Sequence, residues 1–170
     1  MKVFIEEQKF NQLFVIIGFI MALLIVSGFT FKEWETISKG SNIEILGSLS
    51  GLILVILIGI LFLNLKLKTR VDEKGVSYQY VPFQLAYKVI LWENISKSYI
   101  RKYDAISEFG GWGLRFNFFR KTGKSITTSG NIGLQIELKT GSKILIGTQK
   151  KEDLKSVLNT YQDKIKTHES

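Results

Sequence analysis

The sequence predicts a two-helix transmembrane hairpin followed by a mainly-β domain, with about seven antiparallel strands forming a curved sheet or barrel that a C-terminal α-helix caps. Three observations predict it. Two uncharged apolar runs lie in the first 65 residues, period-2 alternation recurs from Leu63 to Gly147, and the last segment carries apolar residues at helical spacing. Residues 1–62 are read as the N-terminal segment, with transmembrane helices over about 13–31 and 45–62. Residues 63–170 are read as the β domain, with its helix over about 149–166.

The first run, Leu13 to Phe31, has 19 residues; the second, Ile45 to Leu65, has 21, with Ser48, Ser50 and Asn64 as its polar members. At about 1.5 Å of rise per residue, roughly 20 helical residues cross a hydrocarbon core of about 30 Å. Both runs are apolar all round, as lipid contact requires. The leader carries Glu6 and Glu7, and the first run exceeds the apolar length of a secretory signal, which predicts a retained span. Lys2 and Lys9 precede the first run and Lys66, Lys68 and Arg70 follow the second, whereas the connection Lys32–Glu44 has two Lys and three Glu. The positive-inside rule therefore predicts a multi-pass protein of the inner (cytoplasmic) membrane with both termini cytoplasmic. Trp34 falls in the outer connection, where the interfacial belt favours it.

Charge divides along the chain. Residues 1–65 carry four Lys and five Glu, a net of −1, and residues 66–170 carry 19 Lys and Arg against 10 Asp and Glu, a net of +9. Such asymmetry points to a membrane or a nucleic acid as partner. There are no cysteines, which excludes disulfides and thiolate chemistry, and the one histidine is His168, in a terminal segment. No metal site and no cofactor are expected.

From Leu63 the elements follow in order. Leu63, Leu65, Leu67, Thr69 and Val71 alternate with polar residues as a half-buried strand, so the second span passes into it with little linker. Asp72-Glu73-Lys74-Gly75 reads as a tight turn into Val76–Phe83, which Pro82 ends. Lys88–Trp92 and Ile95–Tyr103 form one strand broken near Glu93-Asn94. Gly111–Phe119 alternates through Trp112, Leu114, Phe116 and Phe118, and a turn at 121–124 leads to Ser125–Ser129. Gly133–Lys139 and Lys143–Gly147 make a hairpin. Thr148 caps the final helix, whose apolar face is Leu154, Val157, Leu158, Tyr161 and Ile165, suited to plugging an open sheet end.

This order, with Phe109-Gly110-Gly111-Trp112-Gly113-Leu114-Arg115, then Gly130–Leu138 and Ile146-Gly147-Thr148-Gln149, resembles small bacterial membrane proteins with a PH-like (pleckstrin-homology superfold) domain, over about residues 63–166. The resemblance implies the fold and an anchored arrangement, and no activity.

Candidate anionic or membrane-surface contacts are Lys66, Lys68 and Arg70, beside the bilayer, and Lys97, Arg101 and Lys102; each cation near an anionic surface contributes about 1 kcal/mol. Arg120, Lys121 and Lys124 add charge at a hairpin tip. PH folds that bind phosphoinositides use basic residues around the first turn, but here that turn carries Asp72 and Glu73. Trp112 and Arg115 are candidate groove residues. Glycines 110, 111 and 113 precede a strand, not a helix, and lack the phosphate-loop and dinucleotide signatures, so they read as positions of positive φ packed around Trp112. Glu93, Asp104, Glu108 and Glu137 are scattered, with no spacing that assigns an acid and a base, so no catalytic residue is expected and the protein is read as a non-enzyme. The aromatics alternate as core residues and do not interleave with cations, which argues against nucleic acid. The expected function is a membrane-tethered binding or scaffold module, acting by protein docking, self-association or contact with anionic lipid of the bilayer. The alternative is an accessory subunit of a membrane transport or envelope-maintenance complex, whose helices pack on a partner through Gly47, Ser48, Ser50, Gly51 and Gly59.

Overall fold

The computed structural model describes residues 2–10, 12–117 and 123–166. The chain divides into two compact units, one formed by residues 11–64 and the other by residues 1–10 together with 65–170.

The first unit is a helical hairpin. Helices α1 (Leu13–Lys32) and α3 (Asn42–Leu63) are joined through the single turn α2 (Trp34–Ile37). Phe19 meets Phe62 with ring centroids 5.2 Å apart, and Gly51 faces Val26, so the helices run antiparallel. Both are long and apolar enough to cross a membrane, and neither apolar stretch is buried within the protein. Core helices of soluble proteins hide such surface.

The second unit has nine strands among its described residues, where the sequence suggests about seven, and they form two open sheets, not a closed barrel. The four-stranded sheet has the order β1-β2-β3-β4, from β1 (Phe4–Lys9), β2 (Lys66–Val71), β3 (Gly75–Val81) and β4 (Lys88–Leu91). The five-stranded sheet has the order β5-β8-β9-β7-β6, from β5 (Ile95–Lys102), β6 (Gly113–Asn117), β7 (Gly123–Thr127), β8 (Ile132–Leu138) and β9 (Lys143–Gly147). One pairing, β7 with β9, is parallel, so the all-antiparallel expectation is amended. A 3-10 turn at Trp92–Asn94 breaks the run from Lys88 to Tyr103 and carries the chain from one sheet to the other. Leu67, Val71, Val76 and Tyr80 from one sheet and Ile126, Leu134, Ile136 and Ile146 from the other are buried as the core. Phe118, Phe119 and residues 120–122, including the first part of the turn expected at 121–124, lie outside the described residues, as does His168.

Strand β1 places the leader in this unit, whereas the sequence boundary at residue 62 groups it with the helices. Lys9 pairs with Lys66 and Phe4 with Val71, and the amide of Phe10 donates to the carbonyl of Leu65 at 3.1 Å. The helical hairpin is thus an insertion between two hydrogen-bonded neighbouring strands. Its connections are short: residues 10–12 on one side and 64–65 on the other.

The predicted C-terminal helix is present as α5 (Lys151–Lys166). Its face of Leu154, Val157, Leu158, Tyr161 and Ile165 is buried against strands of both sheets, and Tyr161 stacks on Trp92 at 5.6 Å. Each such side chain contributes about 1.5–3 kcal/mol of hydrophobic stabilisation. The Thr148 hydroxyl accepts from the Lys150 amide at 3.1 Å as the helix begins.

Candidate interaction surface

Period-2 geometry points Lys66, Lys68 and Arg70 of β2 to the outer face of the four-stranded sheet, as the alternation predicts. The neighbouring strand changes their electrostatics. Glu7 of β1 lies opposite Lys68 and takes Lys66 at 3.2 Å and Lys68 at 3.8 Å. The hydrogen bond from Lys66, with the other lysines nearby, holds the Glu7 carboxyl below the usual range. Arg70 donates to Asp72 at 2.9 Å. Burial pushes the Asp72 carboxyl up, but the Lys74 amide and the Arg70 guanidinium outweigh it, and the group sits below its ordinary value. Exposed pairs of this kind contribute only about 0–1 kcal/mol to stability. Their importance is that they temper the positive stripe on which anion attraction depends.

Lys97, Arg101 and Lys102 belong to β5, on the other sheet, so the two basic groups are not one patch. Lys97 is exposed and lies across from Glu137. Arg101 is committed to structure. Its guanidinium makes a two-pronged contact with Glu108, at 2.7 and 3.1 Å, and its Nε donates to Gln135 at 2.9 Å. Glu108 belongs to a short helix that the alternation gave no sign of, α4 (Ala105–Phe109). Asp104 caps it by accepting from the amides of Ile106 and Ser107 at 2.9 and 3.0 Å, and Glu108 reaches back to the Asp104 amide at 2.9 Å. Two of the scattered acids are therefore brought together, as a capping device.

The Arg101 fork holds the Glu108 carboxyl below the ordinary glutamate range. A depressed carboxylate pKa contributes stability that is present above the unfolded-state value and is lost as pH falls through the folded-state value. Glu108→Gln is therefore expected to lower the thermal midpoint at pH 7, and the gap from the parent protein should close below about pH 4. Parallel melts at pH 7 and below pH 4 test this; a gap that is constant with pH refutes it.

Gly110 ends α4 in the left-handed region at φ 74°, and Gly111 and Gly113 also have positive φ, in keeping with the expected role of the glycine cluster. The Trp112 ring packs against the buried set Tyr103, Ala105, Phe109 and Leu145, and its Nε1 donates to the Gly130 carbonyl at 2.9 Å. The ring also borders an open cleft of about 470 Å³ with Lys102, Asp104, Ile106 and Asn131. The structure thus brings Lys102 to the Trp112 cleft. Arg115 is instead held at the Trp112 backbone, its Nε donating to the carbonyl at 3.3 Å.

Lys124, expected at a hairpin tip, stands in β7 with its Nζ 3.2 Å from the Tyr78 hydroxyl and 5.1 Å from the centres of the Tyr78 and Phe116 rings. Burial lowers the Lys124 pKa and raises that of Tyr78. Nearby, burial pushes the Tyr80 phenol up to about 12. Arg120 and Lys121 lie outside the described residues. The sequence reading also missed Glu6 and Gln8, buried on the inner face of β1. Glu6 accepts from the Thr148 hydroxyl at 2.7 Å and the Gln149 amide at 2.8 Å. Gln8 donates to the Gly147 carbonyl at 2.8 Å and accepts from the Thr128 hydroxyl at 2.8 Å.

Among the described residues no group of three His, Cys, Asp or Glu side chains is placed to hold a metal ion. No protein-family model, curated protein or solved structure matches the chain.

Proposed function

We propose that this chain is a membrane-tethered binding module, in which a PH-like β unit is held at the cytoplasmic face of the inner membrane and works by surface contact, not by chemistry. One observation carries the reading: the two helices long enough to span a bilayer are inserted between hydrogen-bonded strands β1 and β2 of a single folded unit. A chain that leaves and re-enters one unit must cross the membrane an even number of times, so both ends of the hairpin lie on the same side. The charge balance supports the cytoplasmic side, since residues 66–170 carry a net +9 and the connection holds Glu33 and Glu35. The connections, residues 10–12 and 64–65, are short, which supports a tether with little linker. Docked protein, a second copy, or anionic lipid are the partners that such a position supports.

The rival reading, an accessory subunit whose helices form the partner interface, draws on less of the small-residue set than the sequence suggests. Gly51 and Gly59 face Val26 and Phe19 of the hairpin's own α1, whereas Gly47 faces open space. The orientation is tested by single cysteines in this Cys-free chain. Lys39→Cys in the connection is expected to react with a membrane-impermeant maleimide on intact spheroplasts, and Thr140→Cys only after lysis. Labelling of position 140 before lysis would overturn the topology.

A further inference from the structure

The turn between β3 and β4, residues 82–87, exposes apolar side chains: Leu85 is 96% accessible, Phe83 60% and Tyr87 46%. It is not a loose segment. Gln84 donates its amide to the Tyr80 carbonyl at 2.9 Å, and its side chain accepts from the Tyr80 amide at 3.0 Å. The Gln79 side chain donates to the carbonyls of Gln84 and Leu85 at 3.1 and 3.0 Å, and Phe83 stacks on Tyr80 at 6.1 Å. The fold therefore spends hydrogen bonds on presenting Phe83 and Leu85 outward.

Strand register fixes where this turn lies. Val81 is paired with Lys66, and Lys66 with Lys9, so the turn leaves the sheet at the same end at which the chain departs at Phe10 and returns at Leu65. Adjacent strands are about 4.8 Å apart, which puts the turn one strand from the return point. The opposite end carries the polar turn Asp72–Lys74. We infer that Phe83 and Leu85 form a third membrane contact, entering the headgroup and upper acyl region, with Lys9, Lys66 and Lys88 at the anionic headgroups. An exposed aromatic and aliphatic pair flanked by lysines is the composition that the interface selects. The inference rests on the tethering reading and specifies the lipid contact within it.

The test uses the full-length protein in vesicles of phosphatidylethanolamine and phosphatidylglycerol, with an environment-sensitive fluorophore on one cysteine at a time: Leu85→Cys, Lys74→Cys in the opposite turn, and Leu24→Cys in α1. The Leu85 probe should lose most of its emission to lipids carrying a shallow nitroxide and be protected from aqueous iodide, and the Lys74 probe should do the reverse. If the Leu85 probe behaves like Lys74 while the Leu24 probe is quenched by lipid, the loop proposal falls and the tether stands. Protection from iodide without quenching by lipid would mean that the turn is covered by protein, such as a second copy, and would also overturn it. A Leu24 probe untouched by lipid quenchers would bring down the tethering reading itself.

Discussion

Removing residues 1–64 is expected to leave an unfolded, aggregating chain, whereas replacing residues 11–64 by Asn-Gly should leave a soluble, cooperatively folding β unit. The difference is strand β1. Without it the buried Phe4 is lost, worth about 1.5–3 kcal/mol, as are the polar contacts of Glu6 and Gln8, each on the order of 1 kcal/mol or more. Leu65 and Leu67 also lose cover on a bared sheet edge. A total above about 5 kcal/mol meets the whole stability of many domains. The Asn-Gly replacement is favourable because Phe10 and Leu65 already face each other as the closing pair of an antiparallel hairpin, and a two-residue type I′ turn fits there. Near-ultraviolet circular dichroism and thermal melts of the two proteins decide the matter. A cooperative melt of 65–170 alone, at the midpoint of the Asn-Gly form, would refute the role given to β1.

Glu6→Ala is expected to be the most damaging change to a polar residue in the leader. The carboxylate is 3% accessible and serves two donors that nothing else among its contacts replaces, the Thr148 hydroxyl and the Gln149 amide. Truncation strands both at the start of α5. Hydrogen bonds to a charged group contribute about 1.5–3 kcal/mol, so the loss should be about 3 kcal/mol, or a fall in midpoint on the order of 10–15 °C. Glu6→Gln keeps the shape and one acceptor and should cost less than half as much. Glu7→Ala, one residue on but facing outward in exposed ion pairs, should change stability by less than about 1 kcal/mol. Melting the three variants in the Asn-Gly background gives the ranking, and equal losses for positions 6 and 7 would contradict the inward placement of Glu6.

The spans, the β2 strand, the Asp72–Gly75 turn and the α5 face were legible because each follows one period with apolar residues on one side, although the alternation read from Leu63 begins as strand only at Lys66, Leu63 being the last residue of α3. The leader strand was not. Its inner face is Phe4, Glu6, Gln8 and its outer face Ile5, Glu7, Lys9, so both faces mix apolar and polar residues and the alternation cancels. Only the fold, by bringing Thr128, Gly147 and Thr148 to those inner polar groups, makes a buried strand of them. Helix α4 was missed because five residues are too few to show a helical repeat, although Asp104 is itself a favoured N-cap residue. The basic residues were legible as a set, but which were already occupied was not. Arg70 is taken by Asp72, two residues on, and Arg101 by Glu108, seven residues on, and which acid each one takes depends on how the turn after β2 and the α4 segment fold, not on the order of charges.

The insertion of the helices between β1 and β2 also bears on the order of assembly. Strand β1 has no β2 to pair with until residues 11–64 have been made. In solution, closing a loop of that length would cost about 3.5 kcal/mol of chain entropy plus a constant. An antiparallel pair of spans returns the chain to its starting side and draws its two ends together before any strand has paired. On the tethering proposed above, insertion into the bilayer would act as the template for the first long-range contact of the β unit, and the anchor would be an early step in folding as well as the means of attachment.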